Sequence, residues 1–212
     1  MVGAALFVAV FLLEGWLRPG YDARSMFVSE LALGPRGWIQ SANFIIWGVL
    51  LFLFARGVAG EVQGGRAWRA GPILLMISAV CFVASGFFVM DPVSTPRDQM
   101  SLHGTLHNLF GAVVFLLAPI SCFVFLRTFR RDRDWQRLQM WTLAAGTITA
   151  LVLVFMSVGP TKAPATPNAF NAWNGVIQRT ILITYLAWIF TFARRLLRLT
   201  REHAHIPTSI AE

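Results

Sequence analysis

The sequence has few charged residues and very few cysteines. Only 13% of its 212 residues are charged, whereas 56% are apolar, and a typical soluble domain has about 25% charged residues. A soluble fold of this length needs a larger charged surface, so composition excludes that class. The two cysteines, Cys81 and Cys122, each lie inside an apolar run. They do not indicate the disulfide framework of a small secreted protein.

The sequence also lacks any basic motif of a nucleic-acid-binding fold, although its net charge is positive. The formal charge is +8 and the isoelectric point is near 11.2. The basic residues, however, stand in short clusters between long apolar runs, and the mean hydropathy is +0.61. This pattern predicts the lipid bilayer as the partner and excludes nucleic acid.

Long apolar runs predict an all-α polytopic membrane protein. A helix needs about 20 apolar residues to cross a bilayer, because each residue rises about 1.5 Å through a hydrocarbon layer of about 30 Å. Four runs meet this length without a charge, a fifth contains only Arg179, and an N-terminal run is short. We therefore predict one membrane domain over residues 1–212. The predicted spans are 1–17, 38–57, 70–90, 104–126, 138–159 and 173–193, followed by a basic tail over 194–212. We expect the tail to continue the last helix as far as His205.

The arginine distribution predicts the orientation, because Lys and Arg in short loops favour the cytoplasmic side. The connections after the second and fourth spans and the C-terminal tail carry three, five and four arginines. The other three loops carry three, one and one basic residues. We expect both termini in the cytoplasm of a prokaryotic inner membrane. Residues 1–13 lack the basic start and cleavage site of a signal peptide, so we interpret them as part of a first span.

With this orientation, most of the remaining chemically capable side chains fall on the outer side. His103 and His107 are four residues apart at the start of the fourth span, so both imidazoles project from one helix face and can bind one divalent metal such as Zn²⁺. Asp91, Glu30 or Asp22 could supply a carboxylate ligand. Alternatively, both histidines cap the helix and bond to neighbouring loops.

A metal site at this depth suggests hydrolysis of a lipid-like substrate, because a bound metal generates hydroxide near neutral pH. In this hypothesis the metal ligands are Asp91, His103 and His107, and the catalytic residues are Glu30, His103 and His107. A serine hydrolase built on Ser29 is not favoured, because no strand-turn-helix elbow surrounds that residue.

Arg179 lies about 9 Å inside the sixth span, by the rise of a helix. An arginine at this depth needs a carboxylate, a cluster of carbonyl groups or water. We expect Asp91, Glu30 or Glu14 as its partner. Three roles stay open: a structural pair, binding of an anionic head group or substrate, or snorkelling to the interface. The predicted substrate-binding residues are Arg179, Asn43 and Gln178.

The first outer loop begins with a Pro19-Gly20 turn, and Gly20 can adopt the positive φ that other residues avoid. The segment that follows alternates apolar residues with Ser29 and Glu30. We predict a short amphipathic segment that lies on or between the spans and could act as a lid.

An ordered set of short motifs characterises the polar side of the sequence. The motifs are Arg18-Pro19-Gly20-Tyr21-Asp22, Ser29-Glu30-Leu31-Ala32-Leu33-Gly34, Gly37-Trp38-Ile39-Gln40 with Asn43, Asp91-Pro92, His103-Gly104-Thr105-Leu106-His107 and Gln178-Arg179. From about Glu14 to Arg195 the chain resembles a prokaryotic membrane-protein family catalogued as domain of unknown function number 998. The resemblance implies a multi-span helical protein with no assigned reaction.

Two classes of function remain open from the sequence. The first is an integral membrane protein whose outer polar cluster binds a metal or a polar or anionic ligand, with metal-dependent hydrolysis as its sharpest form. The second is a non-enzymatic small transporter or an accessory membrane subunit, although the sequence shows no paired helix breaks of the kind typical of transporters. The first class predicts that five residues meet at one site: Glu30, Asp91, His103, His107 and Arg179.

Overall fold

A computed structural model describes residues 1–61, 66–158 and 171–204, and within these ranges it is helical with no strand. The predicted all-α bundle of about six helices is confirmed. Short 3₁₀ helices at Val28–Ala32, Arg97–Gln99, Gln136–Leu138 and Asn171–Trp173 lie in the connections. The α-helices are α1 (Val2–Leu17), α2 (Gly37–Glu61), α3 (Arg66–Phe87), α4 (Leu102–Phe129), α5 (Gln139–Val158) and α6 (Asn174–Ala204).

Five of these helices, α2 to α6, are long and apolar enough to cross a membrane, which supports a multi-pass membrane protein. The remaining helix, α1, is apolar but has only 16 residues, which corresponds to about 24 Å of helix. The short N-terminal run of the sequence is therefore a short helix in the structure.

Several helix ends differ from the predicted bounds. Helix α6 continues beyond the predicted span to Ala204, as expected for the basic tail, because the arginines and leucines of the tail favour a helix. Helix α3 ends at Phe87 instead of 90, since the approach to Pro92 disfavours helical backbone. The predicted end of the fifth span at 159, Lys162 in the fifth loop and tail residues 205–212 lie outside the described residues.

Each helix packs against its neighbours in chain order, and α1 also packs against α6, which closes the bundle into a ring. Helices α2 and α3 have the most extensive contact. A Cβ atom added at Gly48 would lie 2.6 Å from the Val83 side chain, and one at Gly86 would lie 2.6 Å from Ile45. The two helices approach closely because these positions lack side chains, as is common between membrane helices.

Two groups of aromatic side chains fill the interior. Phe7, Phe44, Trp47 and Phe82 pack together in one half of the bundle, with ring centroids 5.6 to 6.3 Å apart. Phe125, Phe129, Trp135, Trp188 and Phe192 form the second group. The first group borders the end of the bundle that carries residues 18–36, residues 88–101 and the first turns of α4 and α6. We call this end the polar end.

Candidate functional site

Residues 18–36 fold back into the bundle at the polar end. The Arg18 guanidinium donates to the backbone oxygens of Glu30, at 3.0 Å, and Leu33. Gly20 and Gly34 have φ values of 76° and 75°, which a residue with a side chain adopts only with strain. Between these turns lies the 3₁₀ helix Val28–Ala32, which contacts α1, α2 and α6. The predicted amphipathic segment thus lies between the helices.

Arg179 holds this segment against α6. Its Nη1 donates to the backbone oxygens of Ala23 at 2.7 Å, Met26 at 2.8 Å and Gly175 at 3.0 Å. Its Nη2 donates to the Tyr21 hydroxyl. Arg179 is 8% exposed, so carbonyl groups rather than water satisfy most of this buried cation.

The expectation that a carboxylate pairs with Arg179 is wrong. Among the described residues the ion pairs are Arg24 with Asp22 at 3.9 Å and Arg36 with Glu14 at 2.5 Å. A cluster of carbonyls, the other arrangement that an intramembrane arginine accepts, takes the place of a carboxylate. The guanidinium is thus engaged by the protein itself, which disfavours the predicted role in substrate binding.

Glu30 has a local role at the start of the 3₁₀ helix. Its Oε1 accepts a hydrogen bond from the Phe27 amide at 2.7 Å. Burial raises the pKa of the Glu30 carboxyl above its ordinary value, and the Phe27 amide and the charges of Arg179 and Arg18 oppose this rise. Glu30 therefore caps a helix, and it does not line the cavity described below.

Gln178 and Asn43 also bond to backbone groups. The Gln178 Oε1 accepts from the Val28 amide at 2.7 Å, which joins α6 to residues 18–36. The Asn43 Nδ2 donates to the Phe7 carbonyl at 3.1 Å, which joins α2 to α1. Asn43 is buried away from the cavity, whereas Gln178 lines it.

His103 and His107 have different environments despite their spacing. His107 is 4% exposed, and its Nδ1 lies 2.7 Å from the Phe88 carbonyl oxygen and 3.1 Å from that of Ser85. Carbonyl oxygens only accept, so Nδ1 carries the proton and the neutral ring keeps a lone pair on Nε2. His103 is exposed, and its ring packs against Phe88 with centroids 5.4 Å apart.

Asp91 caps helix α4. Its Oδ2 accepts from the Ser101 amide at 2.7 Å and its Oδ1 from the Ser101 hydroxyl at 2.8 Å. The Ser101 Oγ accepts in turn from the Gly104 amide at 3.0 Å, which is the usual contact of an N-cap serine. A side chain at Gly104 would overlap the Asp91 carboxylate. The helix is capped, but by Ser101 and Asp91 rather than by the histidines.

These placements do not form the predicted metal centre. Within residues 1–61, 66–158 and 171–204, no three His, Cys, Asp or Glu side chains lie close enough together to hold a metal ion. A catalytic zinc site generally has three protein ligands, so the donor set does not fit. We derive no metal-dependent step, and the catalytic roles of Glu30, His103 and His107 stay predictions.

A cavity of about 470 Å³ opens at the polar end beside His107. It lies between residues 27–29, the segment after α3, and helices α4, α5 and α6. Most of its wall is apolar, including Val93, Phe115 and Met156. A narrow extension of about 20 Å³ leads inward past His107 toward Phe44. The polar residues of the wall are Ser29, Asp91, Thr95, His107, Asn108 and Gln178.

The cavity brings together only part of the predicted site. Asp91, His107 and Gln178 line it, whereas Glu30, Asn43, His103 and Arg179 do not. The expectation that all five key residues meet at one site is therefore wrong.

Sequence reasoning missed the apolar wall that α4 contributes. Asn108, Gly111, Ala112 and Phe115 all line the cavity. They follow the i, i+3, i+4, i+7 spacing of one helix face. The small residues in the middle of this face were the available signal, because they leave room beside the helix.

The fold and cavity define a polytopic helical membrane protein with a largely apolar cavity at one end of the bundle. The chain belongs to the family described as protein of unknown function (DUF998), whose model matches residues 1–195. The resemblance noted from the motifs is thereby confirmed. No curated protein and no solved structure matches the chain significantly.

Proposed function

We propose that this protein binds a lipid-like amphiphile in the cavity at the polar end. The polar group of the ligand would lie against His107 and Gln178, and its hydrocarbon chain would lie along the apolar wall of α4 and α5. The observation that carries the proposal is the buried His107, whose Nδ1 is bonded to carbonyls while no described residue bonds to its Nε2. His107 lines the cavity, so a ligand there would supply a hydrogen-bond donor for Nε2.

The size and shape of the cavity support a small amphiphile. Its volume of about 470 Å³ falls in the range of about 300 to 1,000 Å³ typical of ligand sites. From Asn108 to Phe115 its wall follows α4 for about 10 Å, inside the helix range that is apolar enough to span a membrane. Asn108 and Ala112 are exposed, so the described residues leave the cavity open on the side of α4.

Among the described residues the wall holds one histidine and no metal-binding group of three, which supports binding rather than metal-dependent hydrolysis. The arginine distribution would place this cavity in the outer half of the membrane, with both termini inside. Labelling a cysteine introduced at Arg133 tests this orientation, because reagent that reacts from outside the cell would invert it.

A cavity-filling variant tests the proposal. A Cβ atom at Gly111 meets no other atom within 4 Å, and the same is true at Gly57, which does not line the cavity. Both positions therefore accept a Cβ atom, and the longer side chain of Gly111→Leu would extend into the cavity, with Gly57→Leu as its matched control. We expect wild type and Gly57→Leu to co-purify with the same amphiphile, detected by native mass spectrometry, and Gly111→Leu to lose it. Equal lipid content in the three proteins would contradict the proposal.

A further inference from the structure

We infer that the cavity selects an uncharged, hydroxyl-bearing head group on an aliphatic chain and rejects anionic head groups. This inference rests on the proposed function and specifies its ligand. It reverses the expectation from the sequence, in which Arg179 binds an anion.

The charges around the cavity disfavour an anion. Among the described residues no Lys or Arg lines the cavity, and Asp91 contributes a carboxylate to its wall. Three arginines of the polar end are already engaged: Arg179 by carbonyls, Arg18 by the oxygens of Glu30 and Leu33, and the exposed Arg36 by Glu14. An anionic head group would lose its hydration and gain no cation from the described residues in return.

The hydrogen-bonding groups of the wall match a hydroxyl. Burial favours the neutral ring of His107, and because its Nδ1 donates to two carbonyls, its Nε2 is then an acceptor. The Gln178 Oε1 already accepts from Val28, so the amide nitrogen of Gln178 remains as a donor. Both side chains line the main cavity and its narrow extension. A hydroxyl donates one hydrogen bond and accepts others, so it can satisfy both groups at once.

Charged head groups fail this match because neither kind donates a hydrogen bond to His107. A carboxylate has no proton to donate to the His107 nitrogen, and it faces the charge of Asp91. A quaternary ammonium has no N–H, so it too leaves His107 without a donor. The accepting nitrogen of His107 therefore discriminates against both charged head groups, whereas the apolar wall makes the same contacts with the aliphatic chain of each ligand.

A series of ligands with one chain and three head groups tests the inference. Dodecanol, dodecanoate at alkaline pH and dodecyltrimethylammonium would be titrated against the full-length protein in nanodiscs, with displacement of the co-purified amphiphile as the readout. We expect dodecanol to bind at least about tenfold more tightly than either charged ligand, a difference of about 1.4 kcal/mol. His107→Phe keeps a ring of similar size and should remove this preference by weakening dodecanol alone.

The outcomes separate the inference from the proposed function. Tighter binding of dodecanoate or of the ammonium would overturn the inference and leave a lipid-binding cavity in place. Binding that is equal in wild type, Gly57→Leu and Gly111→Leu would overturn both, because it would show partition into the nanodisc. The wild-type ranking decides the head group even if His107→Phe does not fold.

Discussion

Two neighbouring regions of the polar end differ in how completely their polar side chains are hydrogen-bonded. Around Arg179, the guanidinium reaches three backbone oxygens and the Tyr21 hydroxyl. Around His107, one ring nitrogen is bonded and the other is left for the cavity. Backbone oxygens and a tyrosine hydroxyl thus bind the buried charge of Arg179, whereas the proposed ligand site depends on the second ring nitrogen of a neutral His107.

We expect the largest loss of stability on substitution of Arg179, which has the most hydrogen bonds in this region. Arg179→Gln removes the donor to the backbone oxygens of Ala23, Met26 and Gly175 and to the Tyr21 hydroxyl, so we expect stability to fall by on the order of 3 kcal/mol. Thermal unfolding of the purified protein measures this change. Arg24→Gln in the same loop is the control, because that side chain is exposed and surface ion pairs contribute about 0 to 1 kcal/mol. Equal effects of the two variants would show that the contacts of Arg179 do not hold the loop.

A substitution at Asp91 distinguishes a role in capping α4 from a role in ligand binding. Asp91→Ala removes both acceptors of Ser101, and loss of such a cap costs about 0.5 to 2 kcal/mol. Asp98→Ala, in the same connection, should change stability little, because that residue is exposed and makes no capping contact to α4. If Asp91→Ala changed ligand binding without changing the unfolding temperature, Asp91 would belong to the site rather than to the fold.

Substitution of glycine by alanine should raise stability at an open position and lower it at a packed one. Gly111→Ala adds a methyl group in open space and favours the helix, so stability should rise by about 0.5 to 1 kcal/mol. Gly48→Ala places its methyl group 2.7 Å from the Ala79 carbonyl oxygen and 2.6 Å from Val83, and overpacking typically costs about 1 to 3 kcal/mol. A loss of stability in both variants would mean that the space beside Gly111 is filled.

The smallest effect concerns Glu30. Because burial raises the pKa of this carboxyl in the folded protein, folding favours its protonated form. Its contribution to stability is therefore greatest below the ordinary pKa of about 4.5 and declines as the pH rises through the raised value. Glu30→Gln keeps an acceptor for the Phe27 amide without the charge, so it should be slightly more stable than wild type at neutral pH. Unfolding temperatures measured across pH test this, and lower stability at neutral pH would contradict it.

The sequence predicted the helices well because the signal for a membrane helix is strong and local. Twenty apolar residues without charge identify a span whatever surrounds it. The ends were less accurate, as at α3, which ends at Phe87 rather than at residue 90. The motif resemblance was also sound, because it depended on an ordered set of residues rather than on a single contact.

The candidate site was only partly predictable, because partners in space are not read from spacing. The positions of His103 and His107 place both on one helix, but the Phe88 backbone bonds only to His107. Arg179 and Glu30 both have polar side chains at the polar end, yet each is occupied by backbone groups of residues 21–27. Backbone partners leave no signature in side-chain composition, so the sequence left these partners open among carboxylates, carbonyl groups and a metal.

Photo-crosslinking with a light-activated aliphatic alcohol tests the central claim most directly. In the membrane-reconstituted protein, the account predicts that label concentrates on Ala112, Phe115 and Met156, which line the cavity, and that Gly111→Leu removes this label while Gly57→Leu keeps it. Label spread evenly over lipid-facing residues such as Leu53 and Ile73, with no change in Gly111→Leu, would contradict the assignment of the cavity as the binding site.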